Sequence, residues 1–367
     1  MRTVNVGLIG SGFVSAIHAQ ALAGVRSASL LAAASPTERH IRCLAQRHGI
    51  AHWFTDYRKM LEMDELDMVV LGLPNDLHCQ AVLDAASAGK HIVCEKPLCL
   101  TLNQADQMIE ACNRAGVKLM YAEELCFAPK YVRLKRLIDE GALGQVYLVK
   151  QSEKHDGPHS PWFWDVRRSG GGVTMDMGCH AFEFFRWMLG KPKVVDIYAD
   201  MKQVARRDRT QGDDSSHIVV TFEGGATGLA EESWAKKGGM DDRAEVHGTE
   251  GVAYADLLHG NSILTYSGQG YGYAVEKAGS TVGWSFTMYE EGWNYGFPQE
   301  MQHFVDCVRD DLQPLETGED GRVVLEMIFA AYRSAADGRR VPLPFRADGE
   351  RPIDPWLERT GKTGTVD

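Results

Sequence analysis

The chain has 367 residues, 44% of them hydrophobic and 24% charged, with a formal net charge of −11. That length exceeds what one hydrophobic core usually fills, so two domains are expected, and the composition argues against global disorder. The acidic balance argues against a nucleic-acid footprint and against electrostatic anchoring on anionic lipid.

No apolar run approaches the ~20 residues of a membrane helix, and a strand pattern starts at Val4 with no signal-like segment before it. The eight cysteines form no CxxC pair and several lie in apolar runs, which reads as free buried thiols in a reducing cytoplasm.

Strands and helices then alternate. Val4 to Ile9 reads as a strand, Phe13 to Ala23 as a helix, Leu30 to Ala34 as a strand and Glu38 to His48 as a helix. Asp67 to Leu73 is an apolar strand, Leu77 to Ala88 a helix, His91 to Cys94 a strand, Asn103 to Ala115 a helix and Val117 to Ala122 a strand. This order implies a parallel sheet covered on both faces, a Rossmann-type domain over residues 1–125.

After Cys126 the rhythm changes. Val146 to Lys154, Val194 to Asp200, His217 to Phe222, Ala226 to Trp234, Arg243 to His247 and Val252 to Ala255 read as strands. Turn chemistry separates several of them, so residues 126–367 are expected to form an α+β domain with a large, mostly antiparallel open sheet. Helices are expected over Val173 to Leu189, Pro298 to Arg309 and Gly318 to Ala336, and Gly361 to Asp367 reads as a frayed tail.

Gly10-Ser11-Gly12-Phe13-Val14-Ser15 joins the first strand to the first helix. Gly10 suits a tight turn, and Gly12 lets backbone amides approach a pyrophosphate at the helix N-terminus. Ser15 stands where a third glycine is usual. The second strand ends without the acidic residue that would bind a ribose 2′-hydroxyl. Ser35, Thr37 and Arg39 stand there instead, so NAD and NADP both remain open.

Pro74-Asn75-Asp76-Leu77-His78 and Glu95-Lys96-Pro97 leave the carboxyl ends of the next two strands, where open α/β sheets bind ligands. Asp176 and His180 are four residues apart, which places them on one helix face, and Gly178 between them suggests a close neighbour.

These motifs together resemble the glucose–fructose oxidoreductase, inositol dehydrogenase and rhizopine-catabolism (Gfo/Idh/MocA) family: the Gly-x-Gly turn with His18, Pro-Asn-x-x-His, Glu-Lys-Pro and Asp-x-Gly-x-His. The resemblance spans essentially the whole chain. It implies that Lys96 touches the nicotinamide ribose and the substrate hydroxyl, that Asp176 orients the substrate, and that His180 moves the hydroxyl proton. Gly10, Gly12, Phe13, Val14, Ser35, Thr37, Arg39, Pro74, Asn75, His78, Glu95 and Lys96 are the expected cofactor-binding set. A histidine suits proton transfer near neutral pH, and an ammonium lowers the cost of alkoxide character.

Lys154, His155, His159, Trp162, Trp164 and Arg167 lie in a polar, aromatic stretch and are expected, with Lys96, Asp176 and His180, to contact the substrate. No metal site is expected, because Gly157 and Pro158 keep His155 and His159 off a common helix.

The implied activity is an NAD(P)-dependent oxidoreductase acting on a secondary alcohol of a sugar, glycoside or inositol-like polyol. A redox-neutral NAD-dependent glycosidase and a non-catalytic dinucleotide and sugar sensor are the alternatives. Self-association through the open face of the large sheet, as a homodimer or homotetramer, is also expected.

Overall fold

The computed structural model describes residues 2–259, 263–267, 269, 280–287, 291–347 and 351–362. Tail residues 363–367 lie outside the described residues.

The elements in chain order begin β1 (Val4–Ile9), α1 (Phe13–Leu22), β2 (Ala28–Ala34), α2 (Glu38–His48), β3 (His52–Phe54) and α3 (Tyr57–Leu61). They continue β4 (Met68–Leu71), α4 (Asn75–Ser87), β5 (His91–Glu95), α5 (Leu102–Ala115) and β6 (Leu119–Ala122). Next come α6 (Pro129–Asp139), β7 (Val146–Lys154), α7 (Val166–Ser169), α8 (Val173–Asp176) and α9 (Gly178–Met188). The strands β8 (Val194–Lys202), β9 (Ser215–Phe222), β10 (Thr227–Ser233), β11 (Asp241–Gly248), β12 (Val252–Asp256), β13 (Ile263–Ser267) and β14 (Gly283–Thr287) follow. Last are α10 (Glu291–Asn294), α11 (Phe297–Arg309), α12 (Gly318–Asp337), β15 (Val341–Pro342) and α13 (Asp354–Arg359).

The chain divides into two compact units: Met1–Phe127 with Gly296–Leu325, and Ala128–Tyr295 with Glu326–Asp367. The return of Gly296–Leu325 to the first unit was not expected from the sequence. That segment is held there by local contacts. Thr317 bridges Met120 at the edge of the first unit's sheet, and Gly321 lies so close to Tyr121 that a Cβ there would sit 2.9 Å from its ring.

The first unit is a six-stranded sheet in the order β3-β2-β1-β4-β5-β6, all parallel. Its central strands are apolar along their whole length, as a sheet covered on both faces requires; Met68, Val69, Val70 and Leu71 are fully buried. Strand order reverses between β1 and β4, so the carboxyl ends of these two strands form the crevice where open α/β sheets take ligands. α5 is well started: Thr101 and Gln104 form a reciprocal capping box.

The second unit is built on a seven-stranded sheet, β12-β11-β7-β10-β9-β8-β15, antiparallel except where β7 meets β10. One face alternates into the core and is covered by α9, which is buried all round. Contact between helix and sheet is close at Gly228 of β10, where a Cβ would lie 2.4 Å from the Phe185 ring.

The helix expected over 173–189 is interrupted at Met177, giving the short α8 and the longer α9. Backbone bonds from Met177 to Val173 at 2.8 Å and from His180 to Met177 at 3.0 Å carry the chain through the break. The helix α6 was missed because its charged residues, Lys130, Arg133, Lys135 and Arg136, hide a stripe of only two buried side chains, Tyr131 and Leu134. β3 and β15 are short edge strands without an apolar run to announce them.

Candidate active site

At the crevice of the first unit, Gly10 has φ +122° and its missing side chain is required: a Cβ would lie 2.1 Å from the Gly72 carbonyl oxygen. Ser15 is buried against the same strand, its hydroxyl 3.4 Å from that oxygen, and it fills the third-glycine position because Gly72 opposite leaves room. Gly72 was the residue sequence reasoning overlooked; its place one step past an apolar strand was the available signal.

Gly12 caps α1 with no side chain, and a Cβ there would meet nothing within 4 Å. A helix N-terminus capped by a glycine with that room fits a pyrophosphate, which its dipole favours. Phe13 is about half exposed, and Val14 lines Gly72. The Ser11 hydroxyl donates to Ser35 Oγ at 2.7 Å, tying the glycine turn to the end of β2. Thr37 and Arg39 are exposed beyond it. Pro74 caps α4, and Asn75 is buried as its first residue.

Two members of the expected cofactor set do other work. His78 is fully buried, with Nε2 2.9 Å from the Leu73 carbonyl and Nδ1 3.1 Å from that of Pro97. It latches the loop after β4 to the loop after β5, and so is a positioning residue. Burial holds its pKa below the ordinary histidine value, against the pull of these carbonyls and of Glu95.

Glu95 is likewise buried. One oxygen lies 2.6 Å from His18 Nε2, and the other accepts the Lys96 backbone N–H at 3.1 Å. Burial would raise its pKa, but His18 and the Lys96 charge outweigh that and hold it below the ordinary value. His18 lies edge-on to Phe297 at 5.6 Å, so the Glu95 carboxylate is held between that imidazole and the Lys96 backbone, whose peptide to Pro97 is cis.

In the second unit Asp176 ends α8 and His180 lies in the first turn of α9, so the two do not share one continuous helix as their spacing predicted; both are buried. Asp176 Oδ2 accepts the indole N–H of Trp234 at 3.2 Å. Gly178 lies against Thr174, whose Cγ2 would be 3.3 Å from a Cβ, so the close neighbour its presence suggested is there.

The scaffold behind α8 was invisible in the sequence. Asp213, fully buried, accepts the Thr174 backbone N–H at 3.0 Å, the Thr174 hydroxyl at 2.7 Å and the Tyr332 hydroxyl at 2.6 Å. Tyr332 in turn accepts the Gly172 N–H at 2.8 Å. The run Gly170-Gly171-Gly172 exists for this crossing, since a Cβ on Gly172 would lie 2.0 Å from the Asp213 carbonyl oxygen. Burial raises the Asp213 pKa despite these donors.

The aromatic stretch divides. Trp164 is a core residue, edge-on to Trp234 at 5.2 Å, under the Arg209 guanidinium at 4.2 Å and packed on Gly157. Lys154 projects to the open face of the sheet and pairs with Glu231 at 2.6 Å, away from the face that carries Asp176's partner Trp234. Arg167 is exposed and pairs with Asp165 at 2.9 Å. Trp164 and Lys154 are corrections to the expected substrate wall: packing buries the first, and an alternating strand sends neighbours to opposite faces, which turns the second to the open one. His155 is buried, accepting the Gly157 N–H at Nδ1, while Trp162 stacks on Phe163 at 3.8 Å and His159 is exposed.

These features define a class: a Rossmann unit with a glycine turn at its switch point, and a sheet unit carrying a buried Asp-x-Gly-x-His segment across the α8–α9 break. Residues 4–123 match the family described as "Oxidoreductase family, NAD-binding Rossmann fold", and residues 131–254 match the "GFO/IDH/MocA C-terminal domain". The chain belongs to the Gfo/Idh/MocA oxidoreductase family.

Among similar proteins, the myo-inositol 2-dehydrogenase of Thermotoga maritima is 28% identical over 342 residues, covering 93% of this chain and 98% of the relative. The scyllo-inositol 2-dehydrogenase (NAD(+)) of Bacillus subtilis is 28% identical, covering 94% and 97%. The structure of GenD2, from gentamicin A biosynthesis and solved with NAD, is 33% identical with TM-score 0.88, covering 94% of this chain and 97% of that one.

Proposed function

We propose that this protein is an NAD-dependent dehydrogenase or reductase that moves hydride between nicotinamide and a secondary alcohol of a sugar, glycoside or inositol-like polyol. The observation that carries it is the buried Asp-x-Gly-x-His segment across the α8–α9 break, braced from behind by Asp213 and tied to Trp234, in a chain whose other unit is an NAD-binding Rossmann fold. The names of the inositol dehydrogenases among its relatives support the substrate class.

Bound nicotinamide supplies the hydride acceptor or donor. Gly10 and Gly12 leave room for the pyrophosphate, with Ser35, Thr37 and Arg39 at the adenosine ribose. Glu95 and His18 hold Lys96 so that its ammonium stabilises negative charge developing on the substrate oxygen. His180 takes the hydroxyl proton during oxidation and returns it during reduction, and Asp176, fixed by Trp234, orients the substrate.

The protein also self-associates through the open sheet face, where Tyr198 and Tyr254 are 40% and 68% exposed. Incubation with NAD or NADP and a panel of polyols tests the activity: reduced nicotinamide forms with a free polyol, and its absence across the panel overturns the proposal.

A further inference from the structure

The covered face of the second unit's sheet carries groups that a neutral polyol does not call for. Strand register sets Ser216 of β9 beside Glu232 of β10, Glu232 beside Glu153 of β7, and Glu153 beside Asp242 of β11. All four point to the buried face, with exposures of 0, 1, 5 and 0%.

By strict hydrogen-bond geometry both carboxylate oxygens of Glu232 and Oδ2 of Asp242 have no partner among the described residues, although the Glu153 backbone lies near enough to Glu232 to pull its pKa down somewhat. Two uncharged groups on this face are also short of partners: Ser216 Oγ, and Oε1 of Gln151, whose amide donates to Asp242 at 3.3 Å. The Tyr131 hydroxyl meets the other Asp242 oxygen at 2.5 Å. The charge of Lys154 reaches Glu232, but that side chain is on the open face, paired with Glu231.

Buried polar atoms are almost always satisfied, and a buried unpaired carboxylate costs several kcal/mol. Five unsatisfied acceptor atoms on one sheet face therefore mark a place where donors arrive from outside. The location fits. Trp234, two residues beyond Glu232, donates to Asp176, and α8 packs on β9 and β10 beside the row.

A single metal ion does not fit. The outer acids, Glu232 and Asp242, lie two strands apart, roughly 10 Å of backbone, and the three acids do not bring their oxygens within 4.8 Å of one another. An extended ring bearing an amine and hydroxyls does fit, because its donors are spread out and one is cationic.

We propose that the Ser216–Glu232–Glu153–Asp242 row recognises a protonated amine, so that the preferred substrate is an amino sugar or aminocyclitol. This rests on the dehydrogenase reading above. Burial raises the pKa of both Glu232 and Asp242, with repulsion from Asp242 adding to the first and from Asp256 and Asp241 to the second, so amine binding also expels protons from the row.

The test is kcat/KM with NAD for matched pairs, glucosamine against glucose and scyllo-inosamine against scyllo-inositol, at pH 7. Charge-assisted hydrogen bonds to a buried amine are expected to favour the amine roughly tenfold or more, and Glu232→Gln and Asp242→Asn to bring the ratio towards one. A neutral partner used equally well by the wild-type enzyme overturns the proposal, as does a preference that survives both substitutions. Calorimetry of amine binding to the NAD-loaded enzyme, in buffers of different ionisation enthalpy, separates this inference from the dehydrogenase reading. If no polyol turns over, the dehydrogenase reading fails, while heat with proton release still supports the subsite and absence of heat overturns it.

Discussion

Asp213→Ala probes the brace behind the candidate catalytic helix. The substitution removes the acceptor for the Thr174 N–H, the Thr174 hydroxyl and the Tyr332 hydroxyl. The threonine hydroxyl can rotate elsewhere, but the backbone N–H and the tyrosine O–H remain buried without a partner. Each such group costs about 1–3 kcal/mol, so the loss is about 2–6 kcal/mol. At about 2–3 °C per kcal/mol for a unit the size of the second, its melting transition falls by roughly 4–18 °C.

Asp213→Asn keeps one carbonyl acceptor and loses less, about 1–2 kcal/mol. Differential scanning calorimetry of the three proteins, with kcat measured alongside, reads both effects. kcat falls in Asp213→Ala because α8 carries Asp176. A melting temperature for Asp213→Ala within about 2 °C of wild type would refute the bracing role.

Lys96→Ala and His180→Ala each lower kcat at least ~100-fold with the fold retained, the usual scale for positioned acid–base groups, as steady-state kinetics and circular dichroism together check. Stability of the ligand-free protein falls as pH rises from about 4 to about 7. Burial raises Asp242 to about 7, so the stability it contributes is present below the ordinary aspartate pKa and is lost as pH climbs through the folded value. Each tenfold change in proton affinity is worth about 1.4 kcal/mol, so the effect is at most about 4 kcal/mol, and Asp242→Asn flattens that part of a melting-temperature profile. Light scattering at micromolar concentration gives a dimer or tetramer, and Tyr198→Lys with Tyr254→Lys shifts it towards monomer; a wild-type monomer would exclude the open-face interface.

Legibility in the sequence followed the length of the periodic signal. The α/β alternation up to Ala122 is strongly patterned, and Glu38–His48 and Val146–Lys154 match their expected bounds. Glycine turns were legible too, because only φ > 0 or close approach explains Gly10. Long-range partnerships were not. Nothing near Asp213 in the chain announces that it caps a turn 39 residues earlier, and Glu232 and Asp242 become neighbours of Glu153 only through register. Lys154 and Trp164 looked like sugar contacts by residue type, but strand parity turned one to the open face and packing buried the other. Return of Gly296–Leu325 to the first unit depends on a bridge between Met120 and Thr317 that local pattern cannot reveal.

The most direct measurement is to incubate the purified protein with NAD and, separately, NADP against free sugars, inositols, their amino counterparts and aryl glycosides, following reduced nicotinamide and released aglycone together. Reduced nicotinamide is expected with a free polyol or its amino counterpart, faster with NAD, and lost in Lys96→Ala and His180→Ala. Aglycone released without net reduction would instead establish the redox-neutral glycosidase, and bound nucleotide with no turnover in either channel would contradict the dehydrogenase assignment.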